Sequence, residues 1–137
     1  METIKEIKTV TDLDLKDAYS HFDGYEVITD KHVYRVLIAN GQDCCEDWGY
    51  MSSEDNFDYF INTELQRVDL TNTALDKVQL RLNEEQQYGF DGGGIQFVDF
   101  VTDKGVLQFA VYNGHNGYYG HTIRIMQDEK VLLDGVL

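Results

Sequence analysis

The amino-acid sequence predicts an α+β fold that is mainly β, a curved antiparallel sheet of short hairpins with one or two short helices. Three observations carry this. Runs of four to eight β-branched and aromatic residues recur along the chain, several of them alternating apolar with polar. Polar turn signals separate the runs: Asp30-Lys31, Asn40-Gly41, Asp103-Lys104-Gly105 and Asp128-Glu129. The connections are too short for parallel crossovers, which leaves antiparallel pairing.

Taken in order, Thr3 to Lys8 is a first strand, and Leu13 to Phe22 a short helix or turn-rich link with Asp12 or Asp14 as N-cap. Tyr25–Ile28 and Val33–Ile38 form a hairpin. Asp43 to Tyr50 is a strand with an irregular start. Ser52 or Ser53 caps a helix over Glu54–Ile61, whose Phe57, Phe60 and Ile61 share one face and are expected in the core. Glu64–Leu70 and Lys77–Leu82 are read as strands, the second because it alternates apolar and polar residues. Asn83 to Gly94 is the longest polar break and is read as a mobile loop. Ile95–Val101 with Val106–Tyr112, and His121–Met126 with Lys130–Leu133, make two closing hairpins.

Length and composition narrow the function. The 137 residues suit one domain spanning 1–137; there is no proline, and no linker or repeat marks a boundary. The 25 acidic against 11 basic residues give a formal charge of −14, which repels phosphate backbones and anionic membranes. A basic protein surface is the complementary partner; solubility alone would also account for the charge. The start, Met1 to Lys8, has no apolar run of a secretory signal, and no stretch approaches the ~18 apolar residues of a membrane helix. A cytoplasmic protein is expected, as monomer or homodimer, since exposed sheet edges permit pairing without demanding it.

Two segments depart from the ordinary strand pattern: Asp43-Cys44-Cys45-Glu46-Asp47-Trp48 and Asn113 through His121. The adjacent cysteines imply no disulfide framework, because vicinal bridges are strained. Glycines at 114, 117 and 120 allow a tight loop that aims His115 and His121 at one point. Thiolate and imidazole together suit zinc, with Cys44, Cys45, His115 and His121 as ligands, provided the sheet brings the segments together. Adjacent strand residues point to opposite faces, so both cysteines reach one metal only through irregular backbone, and Asp43, Glu46 or Asp47 is a substitute ligand. The competing reading packs a cysteine in the core and lets the histidines hydrogen-bond locally. His21 and His32 are read as surface residues.

Catalysis finds less support. A Cys45 nucleophile with His115 or His121 would make a small hydrolase, but no flanking signature accompanies it, and an acidic field raises a thiol pKa. Asp91-Gly92-Gly93-Gly94 lacks the pattern of a phosphate loop. The protein is therefore read as a binder and not an enzyme. Glu46, Asp47, Glu54, Asp55 and Asp58, with Trp48, Tyr50 and Tyr59 as exposed aromatic anchors, suit a surface that meets a basic groove. A solvated helix face beside core aromatics is the plainer alternative.

Cys44-Cys45-Glu46 and Asn116-Gly117-Tyr118-Tyr119-Gly120-His121 resemble the paired signatures of a small domain family found largely in bacteriophages and mobile elements, over roughly residues 25 to 127. The resemblance implies a β-rich α+β fold. Asp47-Trp48 departs from the apolar residue that follows the glutamate in that pattern. In size, acidity and lack of catalytic motifs the chain looks like phage anti-CRISPR proteins, several of which block type II effector nucleases by occupying basic surfaces meant for nucleic acid. The class implies an inhibitor of such a nuclease; a zinc-binding accessory domain and a cysteine hydrolase stand as alternatives.

Overall fold

The computed structural model describes residues 2–15, 20–41, 46–85, 94–115 and 120–137, with the backbone alone described at positions 46, 47, 85 and 115. Its elements are β1 (Glu2–Asp14), β2 (His21–Thr29), β3 (Val33–Ala39), β4 (Glu46–Ser52), a 3-10 turn (Asp58–Phe60), β5 (Glu64–Thr71), α1 (Asp76–Glu85), β6 (Gly94–Thr102), β7 (Gly105–His115), β8 (Thr122–Gln127) and β9 (Lys130–Val136). The nine strands form one open antiparallel sheet in the order β4-β7-β6-β5-β1-β2-β3-β8-β9. The expected class, α+β and mainly β with a curved antiparallel sheet, is the one observed.

β1 joins the two halves of the sheet. Glu2 and Thr3 pair with β5, while Ile4 to Asp14 pair with β2, so one strand leaves the first half and enters the second. The halves close over a shared core by period-two alternation. β7 contributes Leu107, Phe109 and Val111, and β6 contributes Val98 and Phe100. From the other half come Tyr25 and Val27, Val36 and Ile38, and Ile123 and Ile125. Tyr25 stacks on Phe109 with ring centroids 4.4 Å apart, and Phe100 meets both Tyr34 and Phe109 edge-on at 5.5 Å. Such pairs add about 1 kcal/mol each beyond their buried area.

β1 is longer than the expected Thr3–Lys8, because Leu13 and Asp14 still pair with Phe22 and His21. No helix starts at Asp12 or Asp14. The register shifts between Val10 and Leu13, and Asp12 takes a left-handed φ of 54° there. Opposite the bulge, Gly24 has φ 153°, and a Cβ on it would lie 1.9 Å from the Val36 carbonyl oxygen. The strands approach so closely that only glycine fits. Residues 16–19 of the expected link lie outside the described residues.

Two further expectations are corrected. Lys77–Leu82 belongs to α1 and not to a strand. Val78 and Leu82, four apart, are buried against Met51, Phe97, Ala110 and Tyr112, whereas Leu80 is 64% exposed. Residues 78 and 82 share a face under either period; Leu80 alone separates them. Glu54–Ile61 forms only the 3-10 turn, because its capping serines bond elsewhere. Ser52 Oγ donates to the Glu54 carbonyl, and Ser53 Oγ accepts the Gln108 N–H at 3.0 Å. Phe60 is buried, and Phe57 and Ile61 pack on the core as expected. Of the expected loop Asn83–Gly94, residues 83–85 continue α1, Gly94 opens β6, and 86–93 lie outside the described residues.

Gln108, fully buried on β7, ties α1 to the sheet. Its Nε2 donates to Asp99 Oδ1 at 2.8 Å and to the Thr73 carbonyl at 3.0 Å, and its Oε1 accepts the Leu75 N–H at 2.9 Å. Asp99 faces Asp69 directly across the β5–β6 pair. Burial pushes its carboxyl pKa up, with Asp69 adding to the shift.

Candidate functional site

β4 carries a candidate site at each end. At its N-terminal end the two unusual segments meet, since the β4–β7 register sets Glu46 opposite His115, Asp47 opposite Gly114 and Trp48 opposite Asn113. His121, just before β8, completes the corner. Its ring is buried and stacks on Trp48 with centroids 5.2 Å apart and planes 26° from parallel. Its Nδ1 lies 2.6 Å from the Ala39 carbonyl oxygen. A carbonyl only accepts, so Nδ1 carries the proton, and in the neutral ring the lone pair sits on Nε2. The His121 backbone exchanges two hydrogen bonds with Leu137, at 3.0 and 2.9 Å, and buried Asn113 Nδ2 donates to the same Leu137 carbonyl at 3.1 Å. The corner is thus a packed seam between β7 and β8.

Of the expected zinc ligands, Cys44 and Cys45 lie outside the described residues, as does the segment 116–119; His115 is placed by its backbone and His121 by its side chain. Among the described residues no group of three or more histidines, cysteines and carboxylates is placed to hold a metal. Trp48 and Tyr50 are not the exposed anchors expected. Both are half-buried against the core, and burial raises the Tyr50 hydroxyl pKa, with Asp23 adding to it. His21 and His32 sit at the surface, paired with Asp12 at 2.9 Å and Asp128 at 2.6 Å.

The other end of β4 leads into an acidic platform. Tyr59 is 62% exposed, yet its hydroxyl donates to the Lys104 carbonyl at 3.1 Å and its ring meets Phe60 edge-on at 5.1 Å, so it stands out while held in place. Asp58 is exposed beside it. Asp55 pairs with Arg81 at 2.8 Å and Glu54 with Lys77 at 3.0 Å, which tethers this segment to α1. Two acids that sequence reasoning did not place here join the group. Asp103, in the β6–β7 turn that holds Tyr59, accepts the Glu64 N–H at 2.9 Å. No local signal could have found Asp103, because its turn and Tyr59 lie more than 40 residues apart. Glu46 and Asp47, expected in the same cluster, stand at the far end of β4, about 20 Å away at ~3.3 Å per residue.

Fold and sites together define a strongly acidic, open antiparallel β protein, and among the described residues no helix is long and apolar enough to cross a membrane. The chain belongs to the family described as a domain of unknown function, DUF7448, whose model matches residues 2–125, from β1 almost to the end of β8. No curated protein and no solved structure matches it.

Proposed function

We propose that this protein is a phage-encoded, non-catalytic inhibitor that acts in the host cytoplasm. It docks through the platform around Tyr59 onto the basic, nucleic-acid-binding surface of a type II CRISPR effector nuclease. The observation that carries the reading is the platform itself, an exposed tyrosine tethered through its hydroxyl to the Lys104 carbonyl, with Asp58 next to it in the chain, Asp103 in the turn that holds it and Glu64 bonded to Asp103, on a chain of net charge −14. An aromatic anchor whose position is already fixed loses little entropy on binding, and carboxylates around it steer a basic partner. The resemblance of the Cys-Cys-Glu and Asn-Gly-Tyr-Tyr segments to phage and mobile-element proteins supports the source. Excess protein should reduce guide-dependent DNA cleavage by such a nuclease, and less so as salt rises. Normal cleavage across a panel of type II effectors would remove the reading.

A second reading, a zinc-stabilised accessory domain, is favoured by one specific observation. Hydrogen bonding of Nδ1 to a backbone carbonyl is how metal-binding histidines are commonly oriented, and His121 shows it beside the strand that Cys44 and Cys45 precede. Elemental analysis of protein purified without added metal should then find about one zinc per chain, lost in a His115→Ala/His121→Ala variant. Metal-free protein that melts at the same temperature with and without chelator would exclude it.

A further inference from the structure

β4 ends the sheet. It pairs with β7 on one side, and among the described residues no strand pairs with the other. The Ser53 N–H donates to the Gln108 carbonyl of β7 at 2.8 Å, so strand alternation turns the backbone groups of Ser52 and Tyr50 away from β7. The Ser52 carbonyl accordingly accepts Arg81 Nη1 from α1 at 2.9 Å. A guanidinium stands where a neighbouring strand would place its N–H.

A cleft of about 290 Å³ is lined by Tyr50, Met51 and Ser52 of β4 together with Thr9 of β1, which does not pair with β4. Among the described residues none of β7 lines it, whereas three consecutive residues of β4 do. Tyr25 and Phe57 give it an aromatic lining, and Asp55, its carboxylate held by the same Arg81, also lines it.

We infer that the open edge of β4 receives an extended, basic segment of the partner protein by strand addition, an inference that rests on the basic-partner reading above. Arg81 shows the chemistry required: one N–H bond to the Ser52 carbonyl and one cation for Asp55. A strand bearing lysine or arginine supplies both, and its alternate apolar side chains meet the aromatic lining. The charge of −14 favours such a segment over an acidic one or a second copy of this chain. Arg81 meanwhile protects an edge that would otherwise be exposed.

The test uses an acetylated, amidated heptapeptide of alternating lysine and valine, and the same peptide with every backbone N–H methylated, which keeps the charge and abolishes strand pairing. The parent peptide should bind saturably and slow hydrogen exchange at the Tyr50 and Ser52 amides at least tenfold, while the methylated one should not. Arg81→Ala, with its fold checked by circular dichroism, should bind the parent several-fold more tightly; if it fails to fold, the two-peptide comparison on the wild-type protein decides. Equal binding of both peptides would overturn strand addition while leaving the basic-partner reading intact. Protection of Tyr50 and Ser52 that grows with protein concentration alone would assign the edge to a second copy instead. A nuclease complex that forms without protecting these amides would also overturn it.

Discussion

The two ends of β4 solve opposite problems. At the Glu46 end the unusual residues are drawn inward: Trp48 stacks on a buried His121, and Asn113 and Leu137 close the seam with hydrogen bonds. At the Ser52 end ordinary residues face outward, with Tyr59, Asp55, Asp58 and Asp103 on turns and Glu64 at the start of β5, above the packed Phe57 and Phe60. Chemically distinctive side chains thus hold the sheet together at one end, while the surface able to meet a partner is assembled at the other from residues far apart in sequence. Substitutions at the first end should act on stability, and at the second on binding.

The largest expected effect is at the seam. His121→Ala removes a buried ring, its stacking on Trp48 and a hydrogen bond, and should destabilise the fold by about 3 kcal/mol in urea denaturation. A change below ~0.5 kcal/mol would mean the seam does not hold the halves together. Tyr59→Ala should leave stability within about 0.5 kcal/mol and weaken partner binding by roughly 2 kcal/mol, about thirtyfold. Equal losses of stability and binding would erase the distinction between the ends.

A smaller effect lies beneath α1. Because folding raises the Asp99 pKa, the native state takes up the proton more readily than the unfolded chain, and stability rises as pH falls through the folded value. Asp99→Asn should therefore stabilise at pH 7 by about 0.5 kcal/mol, the size of a like-charge cross-strand repulsion, with the gain shrinking as acid protonates the wild-type carboxyl. Thermal melts at pH 7 and pH 4 read this directly. The smallest effect is opposite in sign. Hydrogen bonds from His32 and the Val33 N–H hold the Asp128 pKa below its ordinary value, so its contribution is present above the unfolded pKa and lost as pH falls through the folded one. Asp128→Asn should flatten that part of the acid limb of the stability curve.

How much was legible in the sequence follows from which interactions are local. The hairpins β2–β3, β6–β7 and β8–β9 were readable because alternation and turn chemistry lie within a dozen residues. α1 was misread because Val78-Gln79-Leu80-Arg81-Leu82 satisfies period two as well as a helical face, and only packing shows that Leu80 is left outside. The end of β1 was missed because a bulge with a left-handed Asp12 interrupts its pattern. At the sites, sequence singled out the two unusual segments but not their meeting, since the Glu46–His115 register joins residues nearly 70 apart. Likewise Asp103 joined the platform through a bond to Glu64 that no local window contains.

The most direct test of the central claim is a DNA-cleavage titration of a type II CRISPR effector nuclease, loaded with its guide, against wild-type protein and a Tyr59→Ala/Asp58→Asn variant that melts normally. The account predicts stoichiometric inhibition by the wild type, weakening as salt increases, and little inhibition by the variant. Full cleavage in the presence of excess wild-type protein, or equal inhibition by the variant, would contradict it.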